Sequence, residues 1–314
     1  MSFAGYGVQK PMGRADTIED GTTSGLQAPG DVAVIIIDNP PNGALTPGVR
    51  IALSEQVKAA EESPEVRSMV IAGRDGAFAM GTGIDAAPSL AQMPDAPSLG
   101  DLCDTIEASA KPVVVAITGA ALGNGLELAL AAHGRVAHPG ARLGAPEITI
   151  GIVPGSGGTQ RLPKVVGGLA ALKMLLSGRA VNGKSALKIG LVDRIEDGDV
   201  LSAAIEEART LADSDAPLVK SSERRDRLGE GQAFLEAVAE HRRVAEASPL
   251  DAPLRLIECV EAALLLPYEI GRGLETAAFE DLVDSDHSQA LRHVFAADRR
   301  LVAASAVVGR TPSR

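Results

Sequence analysis

KPVVVAITGAALGNGLELALAA, residues 111–132, passes from one kind of secondary structure to another within a few residues. Val113, Val114, Val115 and Ile117 form a short β-branched run, the pattern of a strand buried on both faces. Gly119 and the Gly123-Asn124-Gly125 turn interrupt it, and Leu126 to Ala132 are mostly good helix formers. A buried strand that ends in glycine and runs into an apolar helix argues an α/β fold. The same stretch raises a question of charge, because Glu127 sits in a helix that otherwise reads as core. A second carboxylate, Glu147, stands among small and apolar residues in GAPEITIGIVPGSGGTQ (144–160).

Two chemistries compete for Glu127. Asn124-Gly-Leu-Glu127 fits a capping box, in which the carboxylate folds back onto the helix start and is favoured there by the helix dipole. Alternatively, the amide N–H groups exposed where strand turns into helix can hold a developing negative oxygen, with a carboxylate one turn further on beside it. Glu147 follows Pro146, which biases the preceding residue toward extended structure, and an acid buried there needs a partner or a raised pKa. Two weakly solvated carboxylates form a general acid/base pair if the fold brings them together, which spacing alone leaves open.

The remaining chain supplies the frame. Residues 1–30 are rich in Gly, Ser, Thr and Asp without periodicity and read as a loosely ordered lead-in. DVAVIIID (31–38), VRSMVIAG (66–73) and LVDRI (191–195) read as strands, whereas TPGVRIALSEQVKAAEES (46–63) and LGDLCDTIEAS (99–109) read as helices, the first opened by Thr46 and Pro47. After residue 158 the pattern is helical almost throughout. The expected organisation is therefore the lead-in, an α/β core over 31–200 and a helical region over 201–314, with no internal sequence repeat.

Composition narrows the partners. The 314 residues are 45% hydrophobic, enough for a substantial core, and no apolar run approaches the roughly eighteen residues of a membrane helix. A net charge of −11 with 2% aromatic residues disfavours nucleic acid, since neither phosphate-neutralising charge nor stacking surface is present. The N-terminus has no secretory apolar core, and Cys103 and Cys259 form no framework, so a reducing, cytoplasmic setting is expected. ERRDR (223–227) reads as a solvated helix face. GSGGTQ (155–160) lacks the preceding strand and acidic partner of a dinucleotide fingerprint and reads as a tight turn into a helix. His133 and His138 flank GRVA in an expected loop, without metal-ligand spacing.

The block KPVVVAITGAALGNGLELALAAHGRVAHPGARLGAPEITIGIVPGSGGTQRLPKVVG (111–167) closely resembles the signature region of the crotonase, or enoyl-CoA hydratase/isomerase, superfamily. DNPPNGALT (38–46) and GRDGAFAMGTGID (73–85) resemble the family's two earlier motifs in the right order. The resemblance implies a crotonase-like ββα spiral core. It implies an acyl-CoA thioester as substrate, with no cofactor or metal beyond the CoA that the substrate carries. It gives Glu127 the activation of water, Glu147 the proton at the α-carbon, and the backbone N–H groups of Met80 and Asn124 the thioester oxygen. Hydration of a 2-enoyl-CoA in fatty-acid-type oxidation is the expected activity, with isomerisation as a second one. A hydrolase or C–C lyase on another acyl-CoA, and a non-catalytic acyl-CoA-binding subunit, are the alternatives.

Three positions depart from the family pattern. Gly83 stands where an acid is usual, with Asp85 two residues later; Asn124 replaces a usual glycine, and NPPNGAL shuffles the usual order. The segment from Ala86 to Leu102, expected to shape the acyl-tail pocket, matches nothing specific. Residues 248–300 resemble the helical segment that follows the hydratase part of bifunctional hydratase/3-hydroxyacyl-CoA dehydrogenases. The likeness implies either a hydratase portion whose 3-hydroxyacyl-CoA dehydrogenase is a separate partner, or a stand-alone derivative. Free-standing members suggest a homotrimer.

Overall fold

The structure, a computed structural model, describes residues 25–27, 30–40, 42–74, 78–81, 96–227, 229 and 231–308. Gly83, Asp85 and most of the expected tail-pocket segment lie outside the described residues. Two sheets organise the chain. The larger has the order β1 (Gly25–Gln27), β2 (Val32–Ile37), β3 (Ser68–Gly73), β5 (Val113–Ile117), β7 (Gly134–Ala137) and β10 (Arg194–Ile195). The smaller has the order β4 (Ala79–Met80), β6 (Ala120–Leu122), β8 (Arg142–Gly144) and β9 (Val181–Asn182). Among the described residues only β1 on β2 and β9 on β8 are antiparallel.

The chain winds as a spiral. After each of β3, β5 and β7 in the large sheet it contributes the next strand, β4, β6 or β8, to the small one. Strand periodicity divides the buried residues between two cores. Ile35, Ile71, Val115 and Ile117 face the main core, with α1 (Pro47–Glu62) and α2 (Leu99–Ala108). Val34, Val70, Val114 and Val136 face α7 (Val200–Asp213) through its Ala203, Ala204 and Ala208. Residue 200 therefore opens a helix that packs on the large sheet.

Several expectations need correction. Gly25–Gln27, inside the expected lead-in, pair with Val34–Ile36 as an edge strand. GRVA is β7 rather than a loop, because parallel pairing with Val114–Ile117 buries it. His133 and His138 are structural: their Nδ1 atoms accept from the Val113 and Gly140 amides at 3.0 Å. The short strands β4, β6, β8 and β9 carry too few residues for any periodicity. Ser221–Glu223 form a single 3-10 turn, and Arg224 pairs with Asp226 beyond it, so the ERRDR run is largely solvated but is not a helix face.

The helices from α4 onward close the structure. These are α4 (Gly158–Val166), α5 (Gly168–Ser177), α6 (Gly183–Lys188), α8 (Gly231–Glu246), α9 (Ala252–Leu265), α10 (Tyr268–Val283) and α11 (Asp286–Val308). No helix among the described residues is long and apolar enough to cross a membrane. Helix α9 packs on α4 and α5, and α10 lies against α4. Ser288 of α11 donates its hydroxyl to the Ile150 carbonyl at 3.1 Å.

The position of α3 (Asn124–Ala131) depends on two glycines. Gly123 has φ +55°, a conformation that strains any side chain, and a Cβ on Gly125 would overlap the Ala79 carbonyl oxygen of β4. Overpacking of this kind costs about 1–3 kcal/mol, and here the obstacle is backbone, which cannot rotate away. Gly125→Ala is therefore expected to lower the urea unfolding free energy by at least about 1–3 kcal/mol. An unchanged midpoint would show that α3 and β4 are not locked together.

Candidate active site

Helix α3 begins where β6 ends, and β4 runs beside β6 with Met80 opposite Leu122. The Gly81 amide donates to the Leu122 carbonyl at 3.1 Å, which fixes the end of β4 against the start of α3. A Cβ on Gly81 would lie 3.7 Å from the Asn124 nitrogen, so the Met80 and Asn124 segments are immediate neighbours. Gly123, not Asn124, is the residue that precedes the helix, and Asn124 makes no side-chain cap.

Glu127 is 2% exposed and does not fold back onto its own helix. Its Oε1 accepts from the Ser156 amide at 2.7 Å and the Gly158 amide at 3.0 Å, both from the turn that opens α4. The capping-box reading is thereby excluded. Gly158 must lack a side chain, since a Cβ would come 2.9 Å from that oxygen. Among the described residues nothing donates to Glu127 Oε2.

Glu147 opens a 3-10 turn, Glu147–Ile150, which ends at Gly151 in the left-handed conformation. It is 9% exposed, and its Oε2 is buried with no hydrogen-bond partner among the described residues. Its Oε1 lies over Gly123, where a Cβ would approach to 2.7 Å. The turn between β6 and α3 thus holds one candidate carboxylate against its glycine, and α3 carries the other one turn later.

The two acids sit in different electrostatic settings. Burial pushes Glu127 up to about 7, with the charge of Glu275 adding to the rise and the Ser156 and Gly158 amides opposing it. Burial, with the charge of Glu127 adding to the rise, pushes Glu147 up to about 8. Two amide donors favour ionised Glu127, whereas an oxygen without a donor favours protonated Glu147. The two environments thus differ in how readily each carboxyl group ionises.

Sequence reasoning missed Glu275. It is fully buried on α10, where it accepts from the Gly157 and Thr159 amides and is paired with Arg272. In sequence, Arg272 and Glu275 look like an ordinary surface pair at i,i+3 on a helix, and no local signal marks their burial. Arg161 was also missed: it is completely buried and bridges Asp104 and Glu107 of α2. Among the described residues no group of three or more His, Cys, Asp and Glu side chains could hold a metal.

Comparison with known proteins agrees with this architecture. The chain is 41% identical over 274 residues to the peroxisomal bifunctional enzyme of Danio rerio, taking in 85% of this chain and 37% of that protein. It is 37% identical over 277 residues to the peroxisomal fatty acid beta-oxidation multifunctional protein AIM1 of Arabidopsis thaliana, taking in 85% and 38%. The chain therefore spans under two-fifths of the length of these two curated relatives. The crystal structure of carnitinyl-CoA hydratase from Mycobacterium avium shares the fold, with a TM-score of 0.63 at 24% identity over 88% of this chain and 95% of that one. Residues 27–225 match the family described as enoyl-CoA hydratase/isomerase, and with the ββα spiral and two buried glutamates at its centre the chain belongs to that family.

Proposed function

We propose that the chain is an enoyl-CoA hydratase, adding water across the double bond of a 2-enoyl-CoA. The observation that carries this reading is the unequal pair of buried carboxyl groups, Glu127 held by two amides and Glu147 by none on Oε2. Ionised Glu127 takes a proton from water as its oxygen attacks C3. The electron pair moves from the double bond toward the thioester carbonyl, whose oxygen gains negative charge. The Met80 and Asn124 N–H groups stabilise that oxygen, and fixed donors there favour the transition state over the substrate. Protonated Glu147 then delivers its proton to C2, completing the 3-hydroxyacyl-CoA.

Isomerisation is a second activity that the same site supports. Moving a proton between C2 and C4 needs one carboxyl group that alternates between its two forms, and the Glu147 Oε2 atom has no competing donor. The reaction consuming the hydration product is an oxidation, which we assign to a 3-hydroxyacyl-CoA dehydrogenase activity. The unpaired, buried Cys103 and Cys259 favour a reducing compartment.

Loss of the enoyl-thioester absorbance on mixing with crotonyl-CoA, and with longer 2-enoyl-CoAs, tests the activity directly. Glu147→Gln is expected to lower both hydration and isomerisation by about 10²–10⁴, and Glu127→Gln to lower hydration selectively by a similar factor. Near-normal hydration in both variants would remove the assignment.

Hydration requires Glu127 ionised and Glu147 protonated. The rate should therefore rise with pH through about 7 and fall through about 8, giving a narrow bell. The same raised values bear on stability. A carboxyl group whose folded pKa exceeds its unfolded one stabilises the fold below the unfolded value, and that contribution is lost as pH rises through the folded value. Wild type should accordingly lose thermal stability relative to Glu147→Gln between pH 4.5 and about 8. Parallel melting curves for the two proteins across that range would contradict a buried, protonated Glu147.

We propose that the glycine-rich turn is not a dinucleotide site, a reading supported by its amides at Ser156, Gly157, Gly158 and Thr159, which already serve two carboxylates. Calorimetric titration with NADH is expected to be flat beside a clear acyl-CoA signal. Saturable micromolar binding would show that the turn releases its carboxylates for a pyrophosphate.

A further inference from the structure

Two carboxylates from distant parts of the chain divide four consecutive amides. Glu127 of α3 takes the Ser156 and Gly158 amides, and Glu275 of α10 takes those of Gly157 at 2.6 Å and Thr159 at 2.8 Å. Glu275 also accepts from the Thr159 hydroxyl at 2.6 Å. One turn earlier on α10, Arg272 donates to Glu275 at 2.8 Å and to the Gly155 carbonyl at 3.2 Å, clasping the entry to the turn. Helix α10 comes close enough to do this because Gly271 lies against the Gln160 side chain, where a Cβ would overlap Gln160 Oε1. Gln160 is in turn tied to the Cys259 carbonyl of α9 at 2.9 Å.

We infer that Glu275, braced by Arg272, is a positioning residue for Glu127, acting through the Ser156–Thr159 turn that both carboxylates hold. The inference takes the role of Glu127 from the hydratase reading and the coupling itself from geometry. Amides at the start of a helix have no partner within it, and a buried one left unpaired is costly. Removing the grip on Gly157 and Thr159 therefore lets the turn rotate to find new acceptors. Any such rotation carries the Ser156 and Gly158 N–H groups away from Glu127.

The second link is charge. Glu127 is faced by Glu147 from the 3-10 turn, by Glu275 and Arg272 from α10 and by Cys103 from α2, while Arg161 of α4 is neutralised by Asp104 and Glu107. After burial, Glu275 is the largest influence raising the Glu127 carboxyl, and Arg272 acts in the opposite sense. Helix α10 thus presents Glu127 with opposing charges that separate substitutions can remove.

Glu275→Gln and Arg272→Gln in the full chain test the inference. Two readings are followed: the acid limb of kcat/KM for crotonyl-CoA, and the infrared band of the protonated carboxyl groups, with Glu127→Gln identifying the contribution of Glu127. Loss of the Glu275 charge, the largest influence after burial, opposes the upward effect of displaced Ser156 and Gly158 amides and is expected to outweigh it, so Glu275→Gln should move the Glu127 titration down by about half a pH unit or more. It should also lower kcat by about tenfold or more with a smaller change in KM, as for a group that orients the base. Arg272→Gln is expected to move the carboxyl titration up, and it carries the test if Glu275→Gln does not fold. Loss of the Glu275 charge alone would move the Glu127 titration and leave kcat in place, so a shift without a fall in kcat, like unmoved titrations in the folded variants, overturns the inference. Infrared shifts in a wild type that hydrates no enoyl-CoA would support the coupling and end the hydratase reading, and hydration with unmoved titrations would do the reverse.

Discussion

The arrangement of the site depends on one contact, that of the buried Glu127 carboxylate with the Ser156 and Gly158 amides. A carboxylate that deep must find donors or give up its charge. These two amides come from the start of α4, where N–H groups without intrahelical acceptors and the positive end of the helix dipole are available together. The bond joins α3, which carries Glu127, to the turn that leads out of the spiral core. It also frees Glu127 from its own helix, so that the carboxylate looks outward from α3 rather than capping it.

That contact requires chain segments to approach more closely than side chains permit, which accounts for the distribution of glycine around it. Gly125 lets α3 lie on β4, Gly123 leaves room for the Glu147 carboxyl, and Gly158 leaves room for the Glu127 oxygen. Gly157 adopts φ +100° between the two amides that serve Glu127. Backbone amides are well suited to such a site because their positions are set by the fold and need no reorganisation as charge develops. The second buried carboxyl group is treated in the opposite way. Glu147 is buried with an oxygen that meets no donor among the described residues, an arrangement that disfavours its ionised form.

The helices after α7 take part in the same arrangement. Helix α10 supplies Glu275 and Arg272 to the turn, α9 receives Gln160 of α4, and α11 binds the carbonyl that ends the Glu147 turn. Three segments far along the chain therefore bear on the two carboxylates at the centre of the spiral. The buried Arg161 between Asp104 and Glu107 ties α4 to α2 on the other side, so α4 is held from both directions.

The sequence by itself determined the α/β class, the long strands β2, β3 and β5, the helices α1 and α2, and the identity of two acids placed where solvent is scarce. Those features are local: β-branched runs, a proline at a helix start, and ionisable residues among apolar neighbours all act over a few residues. The short strands β4, β6, β8 and β9 were invisible because two or three residues carry no periodicity and form strands only through their partners. Capping and catalysis at Glu127 were equally compatible with Asn124-Gly-Leu-Glu127, since both use the same helix start. Tertiary structure removed the capping reading by bringing the Ser156 turn to the carboxylate, across a separation in the chain that no local pattern encodes. It alone buried Glu275, because the burial of a charged residue on an amphipathic helix depends on which neighbour that helix meets.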